Sequence, residues 1–178
     1  MAGAMDFSDL LQQGYVEVRR VYPAGEEALH VCFGCSPTNP IGMKMRFFGK
    51  PGEPEVMTRY IVHKDYCGFP AFAHGGIIAL MFDEVLAYAS YHVHHKFGMT
   101  KTLNIQFLRP VAIDKEHFIR ARVTDSKERP NGMIDVSIEA SIHEGSTASG
   151  RTCDTATSIY TVLTADKVSG ILAGSRKA

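Results

Sequence analysis

Ala73-His74-Gly75-Gly76-Ile77-Ile78-Ala79-Leu80-Met81-Phe82-Asp83-Glu84-Val85-Leu86-Ala87-Tyr88-Ala89 opens with His-Gly-Gly and continues in helix formers, with no Pro and no further Gly. Apolar residues occupy every side of the helical wheel, so this helix must be wrapped by protein rather than laid on a surface. Asp83 and Glu84 in its middle exclude a membrane span. Two acids inside an otherwise buried helix cost free energy unless they are paired, solvated or used. That conflict between pattern and chemistry points to a functional centre.

Upstream of this helix, Met43, Met45 and Phe47 alternate with Lys44 and Arg46, Gly49-Lys50-Pro51-Gly52 turns the chain, and Val56 to Val62 returns as a strand. A loop, His63 to Phe72, leads into the helix. Downstream, His92-Val93-His94-His95-Lys96 places cations at the helix C-terminus, where the macrodipole favours them. His92 and His95 have no thiol or acidic neighbour that would recommend them as metal ligands. Period-two runs follow at Leu103-Ile105-Phe107, Ile119-Ala121-Val123 and Ile134-Val136-Ile138-Ala140-Ile142, with turns at Asn131-Gly132 and Glu144-Gly145-Ser146. Thr152 to Leu163 reads as a last strand. Antiparallel strands with one apolar face need a cover, and only the helix over about 74–95 is long enough to supply it. The expected fold is α+β, a curved antiparallel sheet wrapped around one central helix.

The ends carry weaker signals. Ser8 caps a short helix over Asp9 to Gln13 that Gly14 ends, Tyr15 to Val21 alternates loosely, and Pro23-Ala24-Gly25 breaks it. We expect an N-terminal extension over 1–35, one domain over 36–165, and a frayed tail over 166–178, which is rich in Gly, Ser and Lys.

The 178 residues carry 19 Lys plus Arg against 19 Asp plus Glu, a balance that argues against nucleic acid or an anionic membrane as partner. The N-terminus lacks the basic and apolar regions of a signal peptide, and the four cysteines show no disulfide framework, so a reducing, cytoplasmic setting is expected. His30, Cys32 and Cys35 invite a zinc reading, but no second pair follows at finger spacing. A tetrahedral site would need Cys67 or Cys153 from afar. The sequence therefore favours a tight turn with small buried thiols, and no metal.

The central stretch resembles the hotdog-fold acyl-CoA thioesterases, in the phenylacetic-acid (PaaI-like) and 4-hydroxybenzoyl-CoA thioesterase-type branch. The resemblance rests on His74-Gly75-Gly76, on Asp83 nine residues after the histidine, and on Thr100-Lys101-Thr102-Leu103-Asn104-Ile105-Gln106-Phe107-Leu108-Arg109-Pro110-Val111. The stretch Cys-Phe-Gly-Cys…Asn-Pro-Ile-Gly-Met occurs in similar form in some relatives. Together these span roughly residues 32–164. The resemblance implies a hotdog fold and hydrolysis of an aromatic or medium-chain acyl-CoA. Gly76 N–H would polarise the thioester carbonyl, Gly75 and His74 would shape that turn, and Thr100 would orient water. Asp83 would act as general base or nucleophile. Glu84 is the backup acid, since some relatives use Glu; about 100° from Asp83 on the wheel, it should otherwise be paired with solvent or an interface.

No cofactor is implied beyond the CoA of the substrate. Phe69, Phe72 and Phe82, with Leu80 and Met81, are candidates for the acyl pocket but read equally well as core. Arg109, Lys101, Lys96 and Arg129 are candidates for the CoA phosphates. The chain departs from many relatives six residues before the histidine, where they carry Asn and it carries Gly68. Gly76 and Asp83 are seven residues apart, about 10 Å along a helix. Reacting atoms must lie within about 3–3.5 Å, so one site needs the glycine of one protomer and the acid of another. A homodimer is required and a tetramer is compatible. The rival readings are a non-catalytic acyl-CoA-binding or sensing protein on the same fold, and a hotdog dehydratase or hydratase.

Overall fold

Hydrogen-bonding demand and the period-two runs are met together by seven strands in one antiparallel sheet. The computed structural model describes residues 5–22 and 30–175. Helix α1 (Ser8–Gln12) is followed by β1 (Val16–Glu17), β2 (Phe48–Gly49) and β3 (Glu55–Ile61). A 3₁₀ turn at Lys64–Tyr66 and a small hairpin of β4 (Cys67–Phe69) and β5 (Phe72–Ala73) then lead into α2 (Gly75–His94). After it come β6 (Gly98–Phe107), β7 (Glu116–Glu128), β8 (Ile134–Glu144), β9 (Thr152–Val162) and α3 (Ala165–Ser175). The large sheet runs in the order β1-β2-β3-β7-β8-β9-β6. It curves around α2, which has the hotdog arrangement expected from the sequence.

Helix α2 stops where its local chemistry says it should. His74 is an extended N-cap, and His95, at φ 51°, is a left-handed C-cap. Met81, Phe82, Val85 and Leu86 are fully buried, each worth about 1.5–3 kcal/mol of burial. From Glu84 to Tyr91 every residue is buried, because a second layer closes over the side of the helix turned from the sheet. Val18, Cys35, Met43, Met45 and Phe47 belong to the same core as α2, and the Phe47 ring stacks on Tyr88 with centroids 4.2 Å apart. That layer explains why the helix is apolar on every side.

Two expectations need revision. Within the N-terminal extension, Val18 and Cys35 share the central core and β1 extends the sheet. On the outer face, Phe7 and Leu10 of α1 form a second cluster with Phe48, Met57 and Phe118. Ala165–Ser175 forms a helix in place of a frayed tail. Asp166 in its first turn suits the dipole, and Val168 N–H bonds Thr164 O at 3.1 Å, which offsets the poor propensities of Gly170 and Gly174. Met43, Met45 and Phe47 are buried in alternation as expected, but only Phe48 and Gly49 pair as strand. Backbone bonds from Met43 N to Phe33 O and from Met45 N to Gly34 O tie that run to the Cys32–Cys35 turn instead. The break expected at Pro23-Ala24-Gly25 and the first four residues lie outside the described residues. No described helix is long and apolar enough to cross a membrane.

Candidate active site

The start of α2 is held from two sides. Ala73 N–H bonds Val111 O at 2.8 Å, and His74 N–H bonds Tyr66 O at 2.9 Å. The ring of His74 then turns back, and its Nδ1 accepts the N–H of Gly76 at 2.9 Å. A neutral ring that accepts at Nδ1 carries its proton on Nε2. Ile77 and Ile78 N–H both reach His74 O. Among the described residues nothing accepts the N–H of Gly75, which is left as the open donor at the positive end of the helix. The amide expected to polarise a carbonyl, Gly76, is thus already engaged by the histidine expected to orient it.

Asp83 lies two turns further on, half-buried on the side of α2 that also carries Gly76, Ala79 and Leu80. Thr100 of β6 donates its hydroxyl to Asp83 Oδ1 at 2.5 Å. The β6–β9 ladder shifts register between Thr100 and Thr102, and such an irregularity redirects a side chain that regular alternation would send elsewhere. Gly75 and Asp83 are eight residues apart on one straight helix, roughly 12 Å. They cannot meet on one substrate atom within one chain.

The glycine at position 68 is explained by crowding. A Cβ there would lie 2.9 Å from both Cα and Cδ2 of His74. The β4 backbone itself packs on the histidine, so no side chain fits between them.

Glu84 does not accompany Asp83, nor is it paired with solvent. It is 8% exposed, and its Oε1 lies 2.9 Å from Cys32 Sγ under the N-terminal layer. Burial first, then the bond to Cys32, push its carboxyl up to about 7. A group tied there cannot serve the open face.

The pocket candidates separate. Met81 and Phe82 are fully buried core residues turned to the sheet, so neither lines an open face. Leu80 and Phe72 are half-buried and Phe69 is exposed. Arg109 donates to Thr152 O at 2.8 Å, Lys101 Nζ lies 3.6 Å from Asp135, and Arg129 pairs with the same Asp135. His92 bonds Lys50 O, and His94 bonds Ser126. A cleft of about 720 Å³, lined by Met43, Met45, Tyr60, His63 and Tyr66 among others, touches neither Gly75 nor Asp83.

Of the residues singled out in the sequence, the structure brings Thr100 against Asp83 and sets His74 on Gly76. That Gly75 rather than Gly76 keeps an open amide depends on a ring rotamer and was not legible in the sequence. Sequence reasoning also missed the meeting of Cys32 with Glu84, 52 positions apart, for which the unexplained second acid in a buried helix was the available signal.

Residues 71–129 match the family model of the thioesterase superfamily. No curated protein sequence matches the chain. Among solved structures, the chain is similar to a thioesterase superfamily protein at TM-score 0.61 and 22% identity, over 73% of this chain and 59% of that one. The chain therefore spans less than two thirds of that protein's length. It is also similar to a putative thioesterase, a phenylacetic acid degradation-related protein of Ralstonia eutropha JMP134, at TM-score 0.57 and 18% identity, over 72% of this chain and 92% of that one. A third is a hypothetical thioesterase of Streptococcus pneumoniae TIGR4 solved with coenzyme A, at TM-score 0.54 and 18% identity, over 64% and 84% of the two chains.

Proposed function

For a hotdog-fold chain that carries a thioesterase-superfamily segment over residues 71–129, we propose hydrolysis of an aromatic or medium-chain acyl-CoA to the free acid and CoA, at a site shared by two protomers. The observation that carries this reading is the pair Asp83 and Thr100, a carboxylate on the open side of α2 held by a hydroxyl at 2.5 Å. Such a fixed carboxylate suits activation of water or direct attack.

In one protomer the Gly75 N–H and the helix dipole stabilise the oxyanion that forms on the thioester carbonyl, while His74 fixes the turn by accepting the Gly76 N–H. This moves the donor one residue from Gly76 to Gly75. In the other protomer Asp83, its carboxylate fixed by Thr100, takes a proton from the attacking water and passes it to the departing CoA thiolate, or attacks directly to give an acyl anhydride that water then cleaves, the water supplying the thiolate's proton. The open edge of β6 supports association, because Met99, Phe107 and Leu108 expose 59%, 58% and 52% of their surface there.

The test is thiol release from aromatic and straight-chain acyl-CoAs by wild type and Asp83→Asn. Turnover that collapses in the variant supports the reading. Tight acyl-CoA binding without turnover by wild type would replace it with an acyl-CoA-binding protein.

A further inference from the structure

On the side of α2 opposite the proposed reaction lies a second group of reactive side chains. Cys32 Sγ, Cys35 Sγ and a Glu84 carboxylate oxygen lie within 4.8 Å of one another. His30 Nε2 is 3.4 Å from Cys35 Sγ. We propose that Cys32, Cys35, Glu84 and His30 form a structural zinc site that pins the N-terminal layer to the central helix. It is independent of the thioesterase reading.

The donor set fits the ion. Tetrahedral zinc takes thiolate, imidazole and carboxylate at about 2.0–2.3 Å, which puts donor atoms roughly 3.3–3.8 Å apart. Cys32, Cys35 and Glu84 lie close to that spacing, and the His30 ring, 3.4 Å from Cys35 Sγ, has to turn toward the other donors to complete the set. Ser36 N–H bonds Cys32 O at 3.1 Å, which closes the turn that brings the two thiols to one side. Gly34 makes room as well, since a Cβ there would run into the Glu84 carboxylate. Glu84 Oε2 is buried and has no partner among the described residues, so the carboxylate has an unused ligand position in the cluster.

Binding displaces the thiol protons of Cys32 and Cys35 to solvent, and the Glu84 carboxylate adds a third anionic donor to the dication. Arg20, half-buried and with its guanidinium carbon 4.2 Å from the Tyr88 ring centroid, sits close enough to Cys35 and Glu84 to offset the residual negative charge. The sequence offered no fourth donor near Cys32 and Cys35. The fold supplies one from the helix.

The test uses the full chain, purified reduced and without chelator. Elemental analysis should find one zinc per chain. Replacement by Co²⁺ should give thiolate-to-cobalt charge-transfer absorption and the visible bands of a tetrahedral ion. Arg20→Met should weaken zinc binding by about 10–100-fold, as loss of an outer partner does. Glu84→Gln should bind cobalt with an altered visible spectrum, and Asp83→Asn should keep the metal even if it loses turnover. Failure of the reduced wild-type protein to take up Zn²⁺ or Co²⁺ at micromolar concentration would overturn the site. So would equal uptake by a Cys32→Ser, Cys35→Ser variant, or thiols that cycle to a disulfide with no metal bound after reduction.

Discussion

The Thr100 hydroxyl donates to Asp83 Oδ1 at 2.5 Å, joining the strand after the central helix to the acid in the helix middle. Asp83→Asn should therefore stay folded and lose on the order of 10²–10⁴ in kcat. Thr100→Val removes one hydrogen bond to a charged group, about 1.5–3 kcal/mol, and should cost roughly 10–100-fold in kcat. Thr100→Ser should restore most of it. Thiol-release kinetics on the three variants check this.

Gly75→Pro tests the open amide. Proline is tolerated at the first helical position, and His74, at φ −65° and ψ 138°, has the conformation a residue before proline prefers. The variant should keep its helix content while losing about 10²–10³ in kcat. The same change at a purely structural glycine would leave kcat alone, so circular dichroism together with turnover decides it.

If each site draws Gly75 and Asp83 from different protomers, two dead variants should rescue each other. Refolding Gly75→Pro with Asp83→Asn in equal amounts puts one intact site in each mixed dimer, which should return about a quarter of wild-type activity. No recovery in a mixture verified to contain mixed dimers would assign both groups to one chain.

Gly68→Asn should impair this chain. Its Cβ would sit 2.9 Å from His74 Cα, so the cap must shift. Loss of the His74 cap costs about 0.5–2 kcal/mol, to be read by urea denaturation, with a parallel fall in kcat. A variant as stable and active as wild type would refute the crowding.

His117 is 2% exposed and bonds Lys115 O, and burial lowers its pKa below the ordinary 6.5. The folded state then binds fewer protons than the unfolded one as the solution is acidified. Stability from this group is complete above about pH 6.5 and is lost as pH falls through the folded value. Urea midpoints should fall with acidification below that point, and His117→Gln should flatten that slope.

The sequence alone determined what short-range chemistry determines. His74 and the C-terminal histidines bound the helix, and period two marked β7 and β8 with their partners. Spacing on one helix separated Gly from Asp83. Tertiary structure decided whatever depends on groups distant in the chain or on a single side-chain rotation. The His74 ring rotamer engages Gly76 and leaves Gly75 open. The packing of Val18, Cys35, Met43, Met45 and Phe47 against α2 lets the helix be apolar on every side, and Glu84 is buried against Cys32. Periodicity says which positions are buried but not which partner buries them, because that is fixed by the path of the whole chain.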